Sequence, residues 1–143
     1  MASNRILGID FGDARTGVAL SDPSGFLASG VGCIKSTGFL KTAEEVVKIA
    51  REKDVCLIVL GHPINMNGTI GPRAEKAEAF AKHLTELSSI PVVLFDERLS
   101  TANAHVMLNI TNTRGKNRKE MIDEMSACLI LQSYLDKERS KNG

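Results

Sequence analysis

The sequence predicts an α/β fold: a mixed five-stranded sheet of order 3-2-1-4-5, built from elements in the order βββαβαβα and flanked by helices. Three observations carry this. Three strand-like runs follow one another between residues 5 and 35, separated only by short turns rich in Gly, Asp and Ser. Two later runs, Val55–Leu60 (VCLIVL) and Pro91–Phe95 (PVVLF), are continuously apolar, as strands covered on both faces of a parallel sheet are. The intervals after residue 35 show helical spacing of apolar residues, so the chain switches from a meander to alternating helix and strand.

The first strand lies in Arg5–Leu20, RILGIDFGDARTGVAL. Ile6, Leu7, Ile9 and Phe11 place apolar groups on both faces, and Asp10 sits among them. Thr16–Leu20 is the returning strand, joined by the turn Gly12-Asp13-Ala14-Arg15. Gly8 and Gly12 bracket Asp10 and leave room for a ligand or another backbone to approach. Gly25–Lys35 (GFLASGVGCIK) reads as a third strand with a bend or bulge at its glycines. Thr42 and Glu45 form a capping box for a helix over about 41 to 53, with Ala43, Val46, Val47 and Ala50 on its inner face. The Gly61–Gly71 loop (GHPINMNGTIG) leaves the carboxyl end of the fourth strand, the edge at which open α/β sheets bind ligands. Pro72 starts a helix with the stripe Ala77, Phe80, Ala81, Leu84 and Leu87. The fifth strand runs into Asp96-Glu97-Arg98. Ser100 or Thr101 caps a short helix containing Ala104, Met107 and Leu108. Thr111–Lys119 (TNTRGKNRK) is a basic loop, and a largely apolar helix from about 118 to 138 packs on the sheet.

The 143 residues fit one domain, 1–143, with a single core. The 43% apolar and 24% charged content is that of a soluble globular chain, and no apolar run reaches membrane-spanning length. The apolar run after Arg5 is broken at Asp10, too early for a signal peptide, so the expected location is the cytoplasm. Cys33, Cys56 and Cys128 are odd in number and widely spaced, which reads as buried reduced thiols and not as a disulfide or zinc framework. A net charge of +1 does not mark a nucleic-acid binder, but an average can conceal a basic face beside an acidic pocket.

A carboxylate in a buried strand must protonate, pair with a cation or hold a metal. In the 3-2-1-4-5 order Asp10, Glu97 at the end of the fifth strand, and Asp123 early in the last helix converge on one edge. Asp123 shares a helix face with Ala127, Ile130 and Tyr134. Asp96 adjoins Glu97, but successive strand residues face opposite ways, so one of the two enters the site, and Glu97 is preferred. Three neighbouring carboxylates repel unless a cation neutralises them. Oxygen-only ligands favour Mg²⁺ or Mn²⁺, the ions suited to phosphodiester hydrolysis.

The segments GIDFGDARTGVA, GHPINMNGTIGPRAEKAEAF, DERLST and RKEMIDEMSACLILQSYL resemble successive motifs of the RuvX/YqgF family, over nearly the whole chain. The resemblance implies the ribonuclease H-like fold of the RuvC resolvase. Members are described as Holliday-junction resolvases and as nucleases processing the 5′ end of precursor 16S ribosomal RNA. It implies Asp10, Glu97 and Asp123 as a catalytic, metal-holding triad. His62 stands where the family commonly has an aliphatic residue and Asn67 where aspartate is common, differences that bear on loop contacts and substrate preference.

The expected activity is therefore metal-dependent hydrolysis of structured RNA, first of all in ribosomal RNA maturation, or of branched DNA, by a monomer or homodimer. Arg15, Arg73, Arg98, Lys116, Arg118 and Lys119 are the candidate nucleic-acid contacts, each set against plain pairing with a nearby carboxylate or a solvated surface. Two rivals belong to other classes. An actin-like ATPase or sugar kinase also begins Gly-x-Asp-x-Gly, but it clamps its nucleotide between two such domains. A binding module that had lost catalysis would not keep the acidic triad.

Overall fold

A computed structural model describes residues 4–99 and 118–142. The chain forms β1 (Arg5–Asp10), β2 (Arg15–Ser21), β3 (Ala28–Lys35), α1 (Phe39–Glu52), β4 (Val55–His62), α2 (Pro72–Ser88), β5 (Val92–Asp96), a single 3-10 turn (Glu97–Leu99) and α3 (Arg118–Asn142). The sheet order is β3-β2-β1-β4-β5, with β1 antiparallel to β2, β2 antiparallel to β3, and β4 parallel to both β1 and β5. The predicted mixed sheet is the observed one. The expected short helix around 104 to 108 lies outside the described residues.

Alternation along the strands sorts side chains to two cores. Leu7, Ile9, Val18, Ile58 and Leu60 face α1 and α2, while Ala19, Val59 and Phe95 face α3 with Ala127, Ile130 and Leu131. The α3 face is lined with glycine for a steric reason. A Cβ at Gly8 would stand 2.6 Å from Leu131 Cβ, at Gly17 1.9 Å from the Asp123 carbonyl oxygen, and at Gly30 on top of the Glu124 carboxyl. Three adjacent strands thus each give up a side chain so that α3 can lie close against the sheet. The space left by Gly8 beside Asp10 is filled by a helix, and Gly12 closes the turn against the Arg15 carbonyl.

Several local expectations are corrected. Helix α1 begins at Phe39, not at a Thr42 cap; Thr42 is buried in the helix, its hydroxyl without a hydrogen-bond partner among the described residues. Phe39 draws the extra turn in, packing edge-on to Phe11 and Phe80. In α2 the buried stripe ends on Ser88 in place of Leu87, which is exposed; the Ser88 hydroxyl donates to the Leu84 carbonyl and accepts from Ile90 N–H, closing the helix. The thiols are not all buried. Cys128 is, Cys33 is half-buried and Cys56 is exposed. The cause at Cys56 is a bulge: Arg5 pairs with Val55 and Ile6 with Leu57, so Cys56 has no partner on β1. The bend expected in the third strand is also a bulge, at Val31, beside Gly32 with φ +149°.

Candidate active site

β1, β4 and β5 are parallel and end at one edge, where Asp10, His62 and Asp96 terminate their strands and His62 pairs in register with Asp96. Alternation divides these groups. Asp10 falls on the α3 face with Gly8, while His62 falls on the opposite face, where its Nε2 meets Glu78 Oε2 of α2 at 2.8 Å. Glu97, one residue past Asp96, turns to the α3 face: a Cβ at Gly61 would lie 2.6 Å from Glu97 Oε2. The missing side chain on β4 is what lets Glu97 lean toward β1.

Electrostatics links the acidic groups. Burial, then Glu97, then Asp123 push the Asp10 carboxyl up from 3.8 to about 7, and Arg73 opposes them more weakly. The Glu97 carboxyl is also raised, mainly by burial, against the pull of Arg73 and His62. Asp123 is anchored differently: Arg15 Nε donates to its Oδ2 at 2.6 Å across 108 residues of sequence.

The candidate cations separate by what they already hold. Arg15 is engaged by Asp123. Arg98 folds back onto Asp96, with Nη2 at 2.8 Å and the backbone N–H at 2.9 Å, and holds that carboxyl below the usual range. Asp96 thereby serves the turn, and Glu97 stands apart from it on the Asp10 face. Arg73, exposed in the first turn of α2, makes no ion pair among the described residues, yet its charge reaches both Asp10 and Glu97. Lys119 is exposed in the first turn of α3, whose backbone begins at Arg118; Lys116 lies outside the described residues.

The 61–71 loop is tied internally. Asn65 N–H donates to the Thr69 carbonyl, Asn65 Nδ2 to Thr69 Oγ1, and both Thr69 N–H and Oγ1 to Asn67 Oδ1. Between this loop, the start of α2 and Glu97 lies a cavity of about 470 Å³. No local sequence pattern points to it, because its walls come from three separate segments.

As a metal site the donor set is suited to a hard divalent ion: every candidate ligand is a carboxylate oxygen, and Asp10 makes no ion pair among the described residues. Among the described residues no three His, Cys, Asp or Glu side chains stand together as an assembled cage, and Asp123 is committed to Arg15.

A profile of the RuvX family, described as Holliday junction resolvase, matches residues 4–137. A relative from Ruminiclostridium cellulolyticum, provisionally named pre-16S rRNA nuclease, is 48% identical over 93% of this chain and 94% of its own length. One of the same provisional name from Thermoanaerobacter pseudethanolicus is 45% identical over 96% of this chain and 99% of its own. Among solved structures, Thermus thermophilus RuvC in complex with a Holliday junction substrate superposes with a TM-score of 0.66 at 11% identity, covering 96% of each chain. The fowlpox virus resolvase in its Holliday junction complex gives 0.59 at 12% identity, over 94% of this chain and 98% of that one. At such identities the likeness is one of fold, and the fold is ribonuclease H-like. Among the described residues no helix is long and apolar enough to cross a membrane.

Proposed function

The chain belongs to the RuvX family, and from that premise we propose that it is a divalent-metal-dependent nuclease that hydrolyses phosphodiester bonds in the 5′ maturation of precursor 16S ribosomal RNA. The observation that carries the reading is the placement of Asp10 and Glu97 on one face at the carboxyl edge of the sheet, where burial and a third carboxylate leave Asp10 in need of a cation. Asp10, Glu97 and Asp123 would hold Mg²⁺ or Mn²⁺, Asp123 exchanging Arg15 for the ion. When bound, such an ion supplies Lewis-acid neutralisation of the phosphate and lowers the pKa of the attacking water. The chain's own contribution is positional. Glu97 is fixed over Gly61, Asp96 restrains Arg98, and Arg73, which makes no ion pair among the described residues, offers its guanidinium to the phosphate beside Asp10 and Glu97.

The test is Mg²⁺- and Mn²⁺-dependent cleavage of a precursor 16S 5′-leader RNA and of a four-way DNA junction, side by side. Cleavage of the leader supports the reading, and no cleavage of either substrate by the folded protein overturns it. Branched DNA is the second reading, favoured by the family's own description; selective cutting of the junction would replace the first with it.

Two further outcomes are expected. Glu97→Gln should lower kcat by at least about 100-fold, whereas Asp96→Asn should cost about tenfold or less, because Asp96 acts through the turn. The reverse ranking would show that the neighbour faces the ion. Replacing Lys116, Arg118 and Lys119 together with Ala should flatten the salt dependence of binding by about 0.7 to 0.9 in log–log slope for each phosphate that these cations neutralise. An unchanged slope would return them to the solvated surface.

A further inference from the structure

We propose that the cavity beneath the 61–71 loop receives one unpaired, unstacked nucleotide of the substrate, with Met66 against its base and Arg73 toward its phosphate. The inference rests on the nuclease reading and adds to it the state of the nucleic acid that the site accepts. The cavity, about 470 Å³, lies within the size range of small-ligand sites. Pro63, Ile64, Met66 and Pro72 supply its apolar wall, and Glu97 and Arg73 stand in the same lining. An apolar wall with a cation nearby matches a base with its attached phosphate. Arg73 has no ion pair among the described residues, whereas Arg98 in the same lining is occupied by Asp96.

Met66 is 86% exposed. A large apolar side chain held out at a loop tip gains by covering a base face, and a thioether adapts to any base. The loop can hold it there because the Asn65, Asn67 and Thr69 bonds brace the tip, and because Gly68 adopts φ +87°. The same bonds take up one Asn65 amide N–H and the Asn67 carbonyl oxygen, so these two groups serve the loop and not base edges. Recognition is then of an unpaired base with little regard to which base it is.

The test walks 2-aminopurine, one position at a time, through the single-stranded leader of a precursor 16S hairpin RNA. It uses the full chain carrying Asp10→Asn in Mg²⁺, with anisotropy reporting binding in parallel. One position near the cleavage site is expected to brighten on binding as its base leaves the stack. Met66→Ala in the same background should remove that signal and weaken binding about tenfold, and Met66→Leu should restore it. Pairing that nucleotide with a complementary strand should depress wild-type cleavage, and changing its base identity should alter kcat/KM by less than about threefold. Binding without brightening at any position, or brightening untouched by Met66→Ala, overturns the inference and leaves the nuclease reading standing. Absence of both binding and wild-type cleavage overturns the nuclease reading itself, and the inference with it.

Discussion

Asp10→Asn is expected to abolish hydrolysis and, in EDTA at pH 8, to melt above the wild type. The two effects have one origin. The Asp10 carboxyl is raised from 3.8 to about 7 by burial and by Glu97 and Asp123, so between these values the folded, metal-free protein holds a proton there that the unfolded chain has lost, and at pH 8 it carries an unfavourable buried charge. For such a group the folded state binds more protons between the two values, and stability falls as pH rises through that window. The contribution is fully present below about pH 4 and lost above about pH 7, a difference on the order of 4 kcal/mol. The amide removes the charge at nearly constant volume. Part of the gain is offset by desolvating the amide, leaving roughly 2 kcal/mol, or about 5 °C in Tm for a domain of this size. The expected signature is a wild-type Tm in EDTA that declines from pH 4 to 8 relative to the mutant. Saturating Mn²⁺ should reverse the order, since binding to the native state favours the protein that keeps its ligand. Parallel Tm profiles for the two proteins would mean that Asp10 is already neutralised within the chain, and a folded mutant with wild-type turnover would remove it from the catalytic site.

Much of this architecture was legible because it follows from period and punctuation. Unbroken apolar runs ending in Gly61 and Asp96 identify parallel strands and also say at which edge the charged residues emerge. Alternation made Glu97 preferable to Asp96, and the structure places Glu97 over Gly61 on the Asp10 face while Asp96 is bound to Arg98 on the far face. What sequence could not supply were pairings across long separations. Arg15 lies next to Asp10 in the hairpin but reaches Asp123, 108 residues on, which no local pattern encodes. Glu124, a charged residue next to Asp123, is fully buried over Gly30, a burial that no local pattern signals. Helix caps failed for a related reason: Thr42 and Glu45 satisfy the local rule, but the aromatic packing of Phe39 against Phe80 decided where α1 starts. The glycines were noticed as permissive, while their role as a floor for α3 needed the third dimension.

That floor yields the other large expected effect, Gly17→Ala. A methyl at Gly17 would stand 1.9 Å from the Asp123 carbonyl oxygen, 2.5 Å from its carbon and 3.2 Å from Glu124 N, all backbone atoms of α3. No side-chain rotation relieves a clash with backbone, so the helix must lift from β2 across a well-packed face. The cost should reach at least about 3 kcal/mol, near the upper end for overpacking, and lower Tm by about 10 °C. Gly25→Ala is the internal control. Gly25 has φ +78° with nothing within 4 Å of the added carbon, so it carries conformational strain alone and should cost about 1 kcal/mol. If the two variants melt alike, the close approach of α3 is not what Gly17 provides. The lifted helix carries Asp123 with it, so Gly17→Ala should also weaken Mn²⁺ binding at temperatures where the protein remains folded, whereas Gly25→Ala, in the turn between β2 and β3, should leave Mn²⁺ affinity unchanged. Loss of stability without loss of Mn²⁺ affinity would show that Asp123 is not a ligand, because no other proposed ligand is displaced when α3 rises from β2.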